Sequence, residues 1–102
     1  MLRTVTLDAP LVVKNVAGLR QTILDAFEEG DDVVIHIPGE SVADLCGLQL
    51  IESARRHAAA VGKTIALDHP AEALRPLLED AGFLTDASPE TLQFWLHEGP
   101  AQ

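Results

Sequence analysis

Val33-Val34-Ile35-His36-Ile37-Pro38-Gly39-Glu40-Ser41-Val42-Ala43-Asp44-Leu45-Cys46-Gly47-Leu48-Gln49-Leu50-Ile51-Glu52 contains a strand, a turn and the opening of a helix. The first five residues are apolar on both faces except at His36, the pattern of a central strand covered on both sides. Pro38-Gly39 ends it. From about Asp44 to Val61, the residues Gly47, Leu50, Ile51, Ala54, Ala58 and Val61 recur at helical spacing and predict a long amphipathic helix. Gln49, Glu52, Ser53 and Arg56 fall on its other side, with Glu52 and Arg56 at the four-residue spacing that favours an ion pair. Leu45 falls with Gln49 and Glu52, away from the apolar stripe, so an exposed leucine is expected in the first turn. Open α/β sheets carry their ligand-facing loops at the carboxyl ends of the strands, which makes Ser41 to Glu52 the expected working surface.

Outward from this stretch the same rhythm continues. Val5, Leu7, Leu11 and Val13 alternate around Pro10 and predict one bent strand or two short ones. Asn15 is placed to cap the helix that follows, whose buried face is Val16, Leu19, Ile23, Ala26 and Phe27. Gly30 is expected to stop it in a left-handed conformation. After Gly62-Lys63, Thr64-Ile65-Ala66-Leu67 is a third strand closed by His69-Pro70. Leu74, Leu77, Leu78 and Ala81 give a short helix that Pro76 kinks or delays, with Gly82-Phe83 as its stop. Ser88-Pro89-Glu90 opens a last helix through Phe94, Trp95 and Leu96, ended by Gly99-Pro100. Phe94 and Trp95 read as core packing. This alternation predicts an α/β fold, a small mainly parallel or mixed sheet of about four strands with four helices and right-handed crossovers. It is expected to form one domain over residues 1–99, with 100–102 as a tail.

Composition narrows the function. A chain of 102 residues has room for one core that needs no metal or disulfide staple. Seven Lys and Arg against sixteen Asp and Glu give a net charge of −9, which opposes binding to a phosphate backbone. Cys46 is the only cysteine, so no internal disulfide forms and a reducing compartment is the simplest setting. The N-terminal stretch lacks the apolar core of a signal peptide, and no run approaches the roughly 20 apolar residues of a membrane span. A cytoplasmic protein is expected. No G-x-G-x-x-G, G-x-x-x-x-G-K-[ST], C-x-x-C or G-x-S-x-G occurs, which removes the usual nucleotide, redox and hydrolase motifs.

Cys46 opens a helix, where the macrodipole favours a thiolate, but no histidine base adjoins it; an inert, partly buried thiol is the reading. An enzyme built on Cys46 is the competing reading and requires an acidic thiol that alkylates rapidly. His36, His57, His69 and His97 show no metal-ligand spacing, so neither metal nor cofactor is expected. His36 is expected to approach Asp44 across the loop and hydrogen bond there.

The opening stretch resembles the STAS domain family, named for sulfate transporters and anti-sigma factor antagonists. The family pattern is an apolar strand ending in an Asp- or Asn-containing turn, then Asp-Ser-Ser/Thr/Ala-Gly-Leu opening a long helix. Asp44, Gly47 and Leu48 match it. The likeness runs on through the early strand, the first helix, Gly62-Lys63, and Leu77-Leu78-Glu79-Asp80-Ala81-Gly82-Phe83, which is similar to the family's Leu-x-x-x-Gly-Leu/Phe ending. It implies a binding module without catalysis of its own. In the antagonist branch the unphosphorylated domain captures an anti-sigma factor that is also a serine kinase. Phosphorylation of the first Ser after the Asp breaks that complex, because about two negative charges enter a packed interface.

This chain departs at that position: Leu45 stands where the hydroxyl would be, Cys46 follows, and His36 replaces the usual Asp or Asn. The resemblance therefore implies a regulatory protein-interaction domain, in bacterial signal transduction or transcription regulation, without the standard phosphorylation switch. Its expected partner-binding residues are Ser41, Asp44, Leu45, Cys46, Gln49 and Glu52, with Leu45 as apolar anchor. Ser41 is the remaining candidate for modification, read first as a turn serine. The partner expected is an anti-sigma factor or another kinase-like signalling ATPase. The alternative is a STAS accessory subunit of a phospholipid-transport ABC complex, docked on its ATPase. Nucleic acid and direct membrane insertion are not expected, and a homodimer is left open.

Overall fold

The computed structural model describes residues 2–39 and 42–98. In chain order its elements are β1 (Leu2–Thr6), α1 (Val16–Glu29), β2 (Asp32–His36), α2 (Leu45–Val61), β3 (Thr64–Leu67), α3 (Arg75–Asp80) and α4 (Pro89–Leu96). Short 3-10 turns at Val13–Asn15 and Glu72–Leu74 precede α1 and α3. The sheet has three strands in the order β1-β2-β3, both pairs parallel. About four strands were expected. Leu11 makes only an isolated parallel bridge with Ala43, because Pro10 cannot donate to a ladder and the chain turns into a 3-10 helix at Val13.

Register decides which face is buried. Val5, Ile35 and Leu67 lie side by side, as do Thr4, Val34 and Ala66 one residue earlier on the opposite face. Both crossovers step the same way across the sheet, so a common hand places α1 and α2 on one face, where they pack on each other. Val5, Val33, Ile35 and Leu67 are buried beneath Leu19, Ile23, Leu48, Ile51 and Ala58. The other face is open, with Thr4, Thr6 and Ala66 exposed and Val34 half-buried. The two-sided cover expected for the central strand is therefore not found: sequential strand order puts both crossover helices on one side.

Beyond β3, α4 extends the core. Trp95 C=O accepts from Ala71 N–H at 2.7 Å, and Phe94, Trp95 and Leu96 are buried, as expected of core packing. The Arg55 guanidinium lies 4.6 Å over the Phe94 ring and joins α2 to α4. Ser88 Oγ accepts from Thr91 N–H at 3.2 Å, the cap that starts α4. The helix stops at Leu96 with His97 left-handed at φ 56°; Gly99-Pro100, the expected stop, lies outside the described residues. Pro76 sits in the first turn of α3 and delays its regular part without a kink. That helix ends as anticipated: Gly82, at φ +82°, donates to Glu79 C=O (3.1 Å) and Phe83 to Leu78 C=O (2.9 Å).

Other helix-end expectations are corrected. Asn15 precedes α1 but makes no cap; as the last residue of a 3-10 turn it has a helical backbone, and its Nδ2 donates instead to Pro10 C=O at 2.9 Å. Gly30 is extended (φ −153°, ψ 161°), not left-handed, and the chain runs straight on into β2. Val61, placed on the buried stripe of α2, is 48% exposed in the last turn before left-handed Gly62. Glu52 pairs with Arg55 at 3.0 Å, not with Arg56.

Candidate protein-interaction site

The opening of α2 is built on one carboxylate. Asp44 has an extended backbone, and its Oδ1 accepts from Gly47 N–H at 3.1 Å, capping the helix. Its Oδ2 accepts from Val13 N–H at 3.1 Å, which ties the helix start to the loop after β1. Backbone bonds tighten the same junction: Leu11 N–H donates to Val42 C=O at 2.8 Å, and Asp44 N–H to Leu11 C=O at 3.0 Å. A Cβ on Gly47 would lie 2.0 Å from the Leu11 carbonyl oxygen, so no larger residue fits where the loop crosses the helix. Leu48 is fully buried. The three residues that match the family pattern, Asp44, Gly47 and Leu48, thus hold the site in place.

Around this rigid start three apolar side chains face solvent. Leu45 is 46% exposed, Val42 63% and Val13 64%. The exposure expected of Leu45 is present. Cys46 is half-buried and Gln49 exposed, and both line a groove of about 750 Å³ between α1 and α2, floored by Ile23, Phe27 and Leu50. Glu52 is half-buried and held by Arg55. Asp44, Leu45, Cys46 and Gln49 therefore come together at the helix start, whereas Glu52 is committed to an ion pair further along. Ser41 lies outside the described residues.

His36 does not approach Asp44. Its Nδ1 lies 2.8 Å from Asp68 Oδ2, because parallel pairing of Ile35 with Leu67 brings the next residue of each strand together. His69 Nδ1 lies 3.1 Å from the other oxygen of Asp68. Burial pushes the Asp68 carboxyl up, but hydrogen bonds and charge from His36 and His69 outweigh it and hold the group below the ordinary carboxylate value. No metal-ligand spacing along the chain marks this His-Asp-His cluster in the sequence. The signal was there in another form, as polar residues at the ends of two neighbouring parallel strands.

Among known proteins, the family model for the STAS domain matches residues 2–96. Comparison with curated proteins and with solved structures gave no significant match in either set. The family match spans every strand and helix from β1 to α4, and the residues of its pattern build the α2 junction. The chain belongs to the STAS domain family.

Proposed function

We propose that this domain is a regulatory protein-interaction module that docks its partner on the opening of α2, with Leu45 as apolar anchor beside Asp44, Cys46 and Gln49. Membership of the STAS family is consistent with a regulatory interaction role, and STAS domains are generally non-enzymatic. The observation that carries the proposal is Leu45, 46% exposed on the first residue of a helix that Asp44 caps. Covering the exposed part of this side chain contributes about 1 kcal/mol, roughly half of what burying a whole leucine is worth, and makes it the largest single apolar contribution within the first turn of the helix. Val13 and Val42 extend the apolar surface beside it. Cys46 serves as a half-buried neighbour of the anchor and has no catalytic part.

A leucine cannot carry phosphate, so the partner is not released by modification at this position. The partner is an ATPase, either a kinase-type anti-sigma factor or the nucleotide-binding subunit of a lipid-transport ABC complex. The missing hydroxyl favours the second, since an accessory subunit needs no serine switch. The net charge of −9 suits a basic docking patch. Among the described residues no helix is long and apolar enough to cross a membrane; we place the domain in the cytoplasm.

Affinity capture from native lysate with the wild-type chain and with Leu45→Asp tests the proposal. The wild type is expected to retain an ATPase that the variant loses, and the identity of that ATPase separates the two partner classes. Equal capture by both chains removes Leu45 from the interface.

A further inference from the structure

The carboxyl ends of β2 and β3 carry a side-chain cluster that the interaction site does not use. Asp68 N–H donates to Ile35 C=O at 3.1 Å, which fixes the backbone of Asp68 beside His36. One carboxylate then faces two imidazoles, Oδ2 toward His36 Nδ1 at 2.8 Å and Oδ1 toward His69 Nδ1 at 3.1 Å. The three residues offer ligand atoms that all lie within 4.8 Å of one another. The two rings stand 77° apart with centroids separated by 6.0 Å, so they converge edge-on instead of stacking.

We propose that His36, Asp68 and His69 form a binding site for a divalent transition metal, with Zn²⁺ as the ion it suits best. Two imidazole nitrogens and one carboxylate oxygen are borderline donors that match zinc, whereas magnesium and calcium take oxygen. Metal–ligand bonds of about 2.0–2.1 Å set the edges of a tetrahedral site near about 3.3 Å. The nitrogen–oxygen separations at Asp68, 2.8 and 3.1 Å, are already close to that but run to different oxygens, so both nitrogens meet one oxygen only once His69 moves. His69, with its side chain 75% exposed, can swing the remaining distance without disturbing the core. Against an ionised carboxylate each Nδ1 acts as the donor; when a metal binds at Nδ1, each neutral ring carries its single proton on Nε2 instead, a change of tautomer made by exchange with water. Three protein ligands leave a position open toward solvent, at the sheet edge where parallel α/β folds hold their ligands.

Zinc chloride titrated calorimetrically into the tag-free full chain, in a buffer that does not chelate, tests the site. One saturable equivalent is expected. His69→Ala and Asp68→Asn should each weaken binding at least about tenfold, since even losing a residue that only supports a ligand costs that much. His57→Ala, an exposed histidine on α2 outside the cluster, should leave binding unchanged. Far-UV circular dichroism confirms that each variant is folded, and His69→Ala is safe in this respect because the side chain is 75% exposed. No saturable heat at about 100 µM zinc, or binding by folded His69→Ala and Asp68→Asn equal to wild type, overturns the proposal.

Discussion

Gly47 and Gly18 both lie in helices, yet an alanine at each should act in opposite directions. At Gly47 the new Cβ meets the Leu11 backbone at 2.0 Å, and the junction between loop and helix must shift. Gly47→Ala is expected to lower stability by about 1–3 kcal/mol in urea denaturation. Gly18 has nothing within 4 Å of such an atom, so Gly18→Ala should raise stability by about 0.5–1 kcal/mol through helix propensity alone. Asp44→Ala loses the cap and the tie to Val13 and should cost about 1 kcal/mol, whereas Asp44→Asn keeps an acceptor and should cost less. Asp68 adds a pH dependence. Its folded carboxyl titrates below the ordinary value, so the unfolded chain binds the proton more readily and stability rises with pH in that window. The contribution is complete above about pH 4 and is lost as pH falls through the lower folded value. In the presence of a chelator, denaturation midpoints measured down to about pH 3 should fall less steeply for Asp68→Asn than for wild type. Parallel slopes would remove Asp68 as the source.

At the scale of elements, the strong signals were those in which one residue both starts and stabilises a helix. Ser88-Pro89 marked α4 correctly because the serine oxygen has a backbone N–H to accept from at Thr91. Ser88→Ala should therefore cost about 1 kcal/mol by the same denaturation measurement. Asn15 carries an equally good capping residue type and fails, because a 3-10 turn upstream sets its backbone before α1 begins. Gly30 fails for a related reason, as its carbonyl-side neighbour Asp31 already leads into β2 and is held by Thr64 N–H at 2.9 Å. Residue type showed where these helices end but not the backbone conformation there, which tertiary pairing decides. In α2 the stripe through Gly47, Leu50, Ile51, Ala54 and Ala58 was legible, and the exposure of Leu45 followed from the same geometry. The partner of Glu52 was not, because Arg55 is drawn over Phe94 of another helix.

For the whole molecule, strand order governs what the periodicity could not. A strand apolar on both faces reads as covered on both, but three strands in sequence order leave the face carrying Thr4, Thr6 and Ala66 to water. The His-Asp-His cluster likewise arises from the register between the neighbouring strands β2 and β3, which metal-ligand spacing along the chain does not reveal. Trp95, the single tryptophan, is fully buried, and its Nε1 makes no hydrogen bond among the described residues. Replacing it with Phe removes that unpaired donor and should cost far less than the about 3–5 kcal/mol expected for Trp95→Ala. In wild type its emission should shift to the red on unfolding, which gives every stability measurement above a core reporter. The functional account itself rests on the exposed leucine at the start of α2. The most direct test is the affinity of the captured ATPase for wild type and for Leu45→Asp, each shown to be folded by that emission. A loss of about thirtyfold or more is predicted for the variant, the size expected of an interface anchor. Equal affinities would contradict recognition at this surface.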